Sequence, residues 1–163
     1  MELLTKASYS SDVTPRERRN LQVAYEAACE GIVLLKNDGI LPFQTKKVAL
    51  YGSGASMTIK GGTGSGEVNE RHSVNILEGL QNRGFEVSSM DWIRDYEAGF
   101  ESAKAAYQIE KRKRVNPLKL GSIMNMLFDN FRFPSGRIIT DEDVASSDTD
   151  SCIYVLSRQA GEG

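Results

Sequence analysis

One histidine and two cysteines are too few for a structural zinc site of the Cys/His kind, which needs four ligands at short spacings. The two cysteines, Cys29 and Cys152, are far apart, and each lies inside an apolar run. That usage predicts two buried thiols in a reducing compartment rather than a disulfide framework. A basic surplus is also missing. Lys plus Arg total 20 against 22 Asp plus Glu, a formal charge of −2, so nothing in the charge balance marks a nucleic-acid partner. No apolar run reaches the about 20 residues that cross a membrane as a helix. Met1–Ser11 shows no apolar stretch behind a basic start, so no secretory leader is visible and a cytoplasmic location is expected. Internal repeats and low-complexity tracts are absent.

What is present has the balance of a soluble globular domain: 163 residues, 40% hydrophobic and 26% charged. That length holds one domain with a real core and hardly two. Thr14-Pro15-Arg16-Glu17 sets an N-cap threonine, a proline at the first helical position and a glutamate at the third, which predicts a capped helix start. Leu21, Ala24, Tyr25, Ala28, Ile32 and Leu35 follow at spacings of three and four. One face should therefore be buried, up to the turn at Asn37-Asp38-Gly39. Lys47–Tyr51 reads as a short buried strand, Val74–Asn82 as a helix, and Phe85–Met90 as a second strand. This order predicts a βαβ unit in a parallel sheet. Asp91–Arg114 has the aromatic spacing of one long helix, and Leu118–Phe128 that of another. Phe131–Ile139 is broken by Pro134 and Gly136, Thr140–Asp143 caps a short helical turn, and Cys152–Ser157 reads as the clearest buried strand.

Several stretches could carry chemistry. Gly61-Gly62-Thr63-Gly64-Ser65-Gly66 packs glycines densely, but Glu67-Val68 follow where a phosphate loop needs Lys and Ser/Thr. The glycine spacing also fails the dinucleotide fingerprint, both here and at Gly52-Ser53-Gly54. Two readings stay open: a flexible connection, or a loop offering N–H groups and the Thr63 and Ser65 hydroxyls to a polar ligand such as a sugar. Gly161-Glu162-Gly163 follows the last strand, where ligands of parallel sheets bind, though a solvated glutamate at a fraying end has the same residues. Lys111–Arg114 fits a solvated helix end, where cations suit the dipole. The acidic group Asp141, Glu142, Asp143, Asp148 and Asp150 lacks the calcium-loop pattern and reads as capping and solvation. His72 has no partner in sequence. No metal and no cofactor is called for.

Taken together, these segments resemble the α/β-sandwich domain of glycoside hydrolase family 3, the β-glucosidase type. Ala27–Pro42, AACEGIVLLKNDGILP, is similar to the family's EGIVLLKN-G-LPL segment. Lys47–Gly52 resembles its first strand, Lys60–Val68 (KGGTGSGEV) its glycine-rich loop, Ile76–Leu80 the helix after that loop, and Ile153–Gly163 (IYVLSRQAGEG) the strand and loop that carry the acid/base. No family motif is recognised between about Asp91 and Asp150.

The resemblance implies an α/β three-layer sandwich with a mostly parallel sheet, truncated at its C-terminal side, so that residues 1–163 form part of one sandwich domain. It also implies a retaining β-glycosidase acting on O-glycosyl bonds of a carbohydrate substrate, with two carboxylates about 5–5.5 Å apart. Glu162 takes the acid/base role. Ser65 matches a serine that touches the sugar in some members, with Gly64 shaping the loop and Thr63 counted beside them as a sugar contact. The nucleophile would be an aspartate of a separate (β/α)₈ barrel domain of the same enzyme, which this chain does not contain, so the chain alone should be inactive. The start near the Thr14 helix resembles members in which the sandwich precedes the barrel. Sugar, linkage and oligomeric state stay open. The competing expectation is a non-catalytic carbohydrate- or nucleotide-binding α/β domain.

Overall fold

The computed structural model describes residues 12–61, 71–114, 121 and 129–158. The glycine-rich loop, the helix predicted over Leu118–Phe128 save Gly121, and the stretch holding Glu162 lie outside the described residues. Two units divide the chain, Met1–Pro42 and Phe43–Gly163.

In the first unit, α1 spans Pro15–Gly31 and opens on the expected capping box. The Thr14 hydroxyl accepts from the Glu17 N–H at 3.2 Å, and the Glu17 carboxylate accepts from the Thr14 N–H at 2.7 Å. The predicted periodicity runs on to Leu35, but the helix stops at Gly31 and Ile32 is extended (φ −76°, ψ 125°). Glycine followed by the β-branched pair Ile32-Val33 is a poor place to continue a helix. Asn37 then organises the turn: its Oδ1 accepts from Gly39 N and Leu41 N, and its Nδ2 donates to the Leu41 carbonyl. The expected buried face is not found. No residue of α1 is buried, and Leu21 and Leu35 are exposed. Period alone identifies an apolar side; burial needs something packed on it. Cys29 on this helix is an exposed free thiol, against the expectation of a buried one.

The second unit is an α/β fold around a three-stranded parallel sheet. In chain order its elements are β1 (Lys47–Tyr51), α2 (Ile76–Asn82), β2 (Glu86–Val87), α3 (Met90–Arg114), α4 (Asp141–Ser147) and β3 (Cys152–Tyr154). The strand order is β2-β1-β3, so β1 is central. Val48, Ala49, Leu50 and Tyr51 are all buried, and successive strand residues point to opposite faces. Both faces of β1 are therefore covered, the signature of the middle layer in a parallel sheet. Ser89, just past β2, extends that strand's work: its hydroxyl accepts from Leu50 N and donates to Leu50 O, both at 2.7 Å.

α3 supplies much of the core. Trp92, Ile93, Tyr96 and Phe100 are its buried residues, joined by β1, Ala55 and Val87. Tyr51 meets Trp92 edge-on with centroids 5.7 Å apart, and Trp92 stacks on Tyr96 at 5.9 Å. The irregular segment 129–139 lies along this aromatic stripe as a strap. Phe131 and Phe133 meet Phe100 edge-on, and the Tyr107 hydroxyl donates to the Asp129 carbonyl.

β3 corrects the second cysteine expectation. Exposure alternates from Ser151 to Arg158, with Ile153 and Val155 half-buried while Cys152, Tyr154 and Leu156 are exposed. The run Cys152–Ser157 is apolar enough to look wholly buried, yet β3 is covered on one face. Cys152 stands on the open face as a free thiol.

Candidate functional site

The chain leaves β1 and β3 at the same, carboxyl edge of the sheet, because the two strands are parallel neighbours pairing Ala49 with Cys152 and Tyr51 with Tyr154. This is the edge at which open parallel sheets bind ligands. The turn after β1 is built for close approach. Gly52 has φ +96°, and a Cβ there would overlap the Val155 carbonyl oxygen and lie 3.0 Å from Val155 N. A Cβ on Gly54 would overlap Ser157 Oγ and lie 2.7 Å from Val155 Cγ1. Val155 N also donates to Tyr51 O at 2.9 Å, so the backbone beyond β3 is pressed onto the turn after β1. The Gly52-Ser53-Gly54 pair fails as a dinucleotide fingerprint and serves instead as a seat for the segment that leads toward Glu162.

The same turn is tied to α2. Leu77 N donates to Ala55 O at 3.0 Å, Thr58 Oγ1 donates to Gly54 O at 2.6 Å, and Ile76 N donates to Thr58 Oγ1 at 3.2 Å. Asn75 caps α2 by accepting from Glu78 N at 2.8 Å. These bonds fix both ends of the connection that contains Thr63, Gly64 and Ser65. Those three residues and Glu162 lie outside the described residues. His72, read as partnerless in sequence, sits 2.9 Å from the Glu78 carboxylate.

A second cluster at this edge escaped the sequence. The Tyr96 hydroxyl donates to the Pro134 carbonyl at 3.1 Å. Burial pushes the Tyr96 and Tyr51 phenols up. The Tyr51 hydroxyl donates to the Asp143 carbonyl at 3.0 Å, linking the end of β1 to α4. Arg137 on the strap donates from Nη1 and Nη2 to both oxygens of Asp143, at 2.6 and 2.7 Å, and from Nε to Asp95 on α3 at 3.1 Å. The Arg137 fork, then the Thr140 backbone N–H, hold the Asp143 carboxyl well below the usual carboxylate range. The acidic group that read as capping is therefore also the anchor of the strap. The capped turn expected at Thr140–Asp143 opens α4, where Thr140 and Asp143 form a capping box. Across the sheet, the Lys47 ammonium beside Asp148 (2.7 Å) lowers that carboxyl as well.

Among the described residues no group of three or more His, Cys, Asp or Glu is placed to hold a metal ion, and no helix is long and apolar enough to cross a membrane.

Residues 32–163 match the profile described as the glycosyl hydrolase family 3 C-terminal domain. Beta-glucosidase A of Butyrivibrio fibrisolvens is 34% identical over 148 residues, which is 90% of this chain and 16% of that protein. The probable exo-1,4-beta-xylosidase xlnD of Aspergillus flavus is 52% identical over 52 residues, 29% of this chain and 6% of that protein. Among solved structures, beta-glucosidase 3B of Thermotoga neapolitana in complex with alpha-D-glucose aligns with a TM-score of 0.57 and 28% identity, covering 92% of this chain and 19% of that one. Its complex with glycerol aligns at 0.58 and 29%. The chain thus spans less than a fifth of the length of these two beta-glucosidases. With the profile covering residues 32–163, the chain belongs to glycosyl hydrolase family 3, matching that family's C-terminal domain.

Proposed function

We propose that this chain is the acid/base-bearing part of a retaining β-glycosidase, with Glu162 as general acid and base and Ser65, Gly64 and Thr63 forming part of the sugar cleft. The observation that supports this most directly is the parallel pairing of β1 with β3, with Gly52 and Gly54 seating the segment after β3. That topology sends the chain toward the glycine-rich loop and toward Glu162 from one edge of one sheet. The glucose complex of the related Thermotoga enzyme makes a glucoside the first substrate to try.

In this reading the reaction takes two steps. The aspartate of a barrel domain attacks the anomeric carbon while the Glu162 carboxyl gives its proton to the departing glycosidic oxygen. Glu162, now a carboxylate, then takes a proton from water as that water displaces the aspartate, which returns the enzyme to its starting state. The Ser65 hydroxyl would hold the sugar through a neutral hydrogen bond.

The test compares the 163-residue chain with a barrel-bearing form of the enzyme on nitrophenyl β-glycosides. The chain alone should give no turnover. In the barrel-bearing enzyme Glu162→Gln should cut kcat by about 10²–10⁴-fold, least for good leaving groups, and azide should partly restore turnover. Ser65→Ala should weaken sugar binding by about 0.5–1.5 kcal/mol. A Glu162→Gln enzyme that matches its parent on poor leaving groups would remove the residue from the chemistry. Turnover of an aryl glucoside by the purified chain alone, lost in Glu162→Gln, would show that no second domain is required.

A further inference from the structure

A cavity of about 310 Å³ lies between α3 and the strap, lined among others by Asp95, Tyr96, Gly99, Ser135, Gly136 and Arg137. We propose that this cavity is a subsite for one pyranose ring of a neutral carbohydrate. The proposal rests on the glycosidase reading only for the expectation that a sugar chain is at hand.

The volume stands at the small end of ligand pockets and is ample for a single ring. The lining has two characters. The Tyr96 ring and the Gly99 backbone give apolar wall, while Asp95, Ser135 and Arg137 give a polar rim. A pyranose has the matching pattern, with C–H patches on its faces and hydroxyls around its girdle. Charge narrows the class further. Arg137 is already met by Asp143 through both Nη atoms and by Asp95 through Nε. One cation against two carboxylates leaves no surplus positive charge for a phosphate or a sugar acid. The Asp95 carboxylate, with 61% of its side chain exposed, keeps acceptor capacity for hydroxyls beyond the Arg137 bond. No hydrogen bond of the Ser135 hydroxyl is found among the described residues, so it is available to donate or accept.

Gly99 is the more telling residue. It sits inside α3, where glycine is the poorest choice short of proline. A Cβ there would meet nothing within 4 Å, so packing does not demand glycine. What the missing side chain does leave open is the cavity. Gly136 differs: its φ of +83° and the closeness of its would-be Cβ to Tyr96 and Trp92 give it a structural reason. The Tyr96 phenol ties α3 to the strap beside the cavity, donating to the Pro134 carbonyl at 3.1 Å.

The chain carries its own reporter. Trp92 is the only tryptophan in the sequence, and its ring lies against Tyr96 and Gly136. Titration of the 163-residue chain with cellobiose should change Trp92 fluorescence saturably, and inorganic phosphate should not. Gly99→Leu, which fills the cavity and favours the helix, should weaken the cellobiose response at least tenfold. Ser135→Ala should weaken it about 2–10-fold, as one neutral hydrogen bond predicts. Both variants are to be compared at matched far-UV circular dichroism. No saturable response to cellobiose, or the same isotherm in the parent and both variants, would overturn the subsite. The two proposals fail separately. A response that depends on Gly99 in a protein whose barrel-bearing form hydrolyses nothing keeps the subsite and removes the glycosidase. Loss of hydrolysis in Glu162→Gln beside a fluorescence response indifferent to Gly99 does the reverse.

Discussion

β1 and β3 lie side by side in one sheet, and their surroundings differ. Every residue of β1 after Lys47 is buried, whereas β3 and its continuation alternate between half-buried and exposed. The central strand is held by α3, α4 and both neighbouring strands; β3 is held on one face and by the turn at Gly52. Stability is thus concentrated around β1, and the strand that leads toward Glu162 is more loosely covered. A site on such a strand can be adjusted without touching the core, which is consistent with the way functional loops are carried on a rigid scaffold.

The largest effect that could break this contrast comes from truncating an apolar side chain on β1 and one just beyond β3. Leu50 is fully buried and Leu156 is 87% exposed. Leu50→Ala should cost about 2–5 kcal/mol, from lost burial and the cavity left behind. Leu156→Ala should change stability by less than about 0.5 kcal/mol. Urea unfolding of both variants gives the comparison. A loss at Leu156 approaching that at Leu50 would mean that the open face of β3 is covered in solution.

A smaller effect is expected where the two strands meet. Gly52→Ala puts a Cβ against the Val155 backbone and forces an L side chain to φ +96°. Backbone strain of this kind costs about 1–3 kcal/mol, and here the neighbour that must yield is main chain. Gly31→Ala is the control, since a Cβ there meets nothing within 4 Å. Thermal melts should show Gly52→Ala clearly destabilised and Gly31→Ala unchanged or slightly improved. Equal melts for Gly52→Ala and the parent would mean that the Val155 segment does not lie on this turn.

How much of this was legible in the sequence follows from range. Capping boxes at Thr14 and Thr140 are written within four residues, and both are found. The strand–helix–strand order from Lys47 to Val87 is a local alternation of periods, and the parallel sheet follows from it. Burial was less legible. The α1 pattern and the Cys152 run are apolar, but which faces are covered depends on partners distant in the chain. The Arg137 anchor joins Asp95, Arg137 and Asp143 from three segments, and no motif links them. Gly52 and Gly54 were visible as glycines, but their purpose depends on Val155 arriving from the far end of the chain. The roles of Ser65 and Glu162 are expected from family resemblance alone, since single-sequence spacing leaves them undecided.

The smallest expected effect concerns the strap, the other element that embraces the core without belonging to it. Arg137 holds the Asp143 carboxyl well below its ordinary value, with the Thr140 N–H adding to this. A carboxylate whose folded value is depressed stabilises the fold at pH above its unfolded value, near about 4. That contribution disappears as the pH falls from about 4 through the folded value, so the melting temperature should drop over this acid range. Arg137→Gln removes the main cause of the depression, and the drop should become shallower. Lys47 and Asp148 form an independent pair that also lowers a carboxyl, so some acid sensitivity should persist in the variant. The Arg137 side chain is 40% exposed, and added salt should reduce the difference between variant and parent. The measurement is a melting curve at each half unit of pH from 2 to 6, for both proteins, at low and high salt. Superimposable pH profiles at low salt would show that the Arg137–Asp143 pair does not couple the strap to stability. A shallower profile for the variant, converging with the parent at high salt, would show that the Arg137–Asp143 pair couples the strap to stability through a solvent-screened contact.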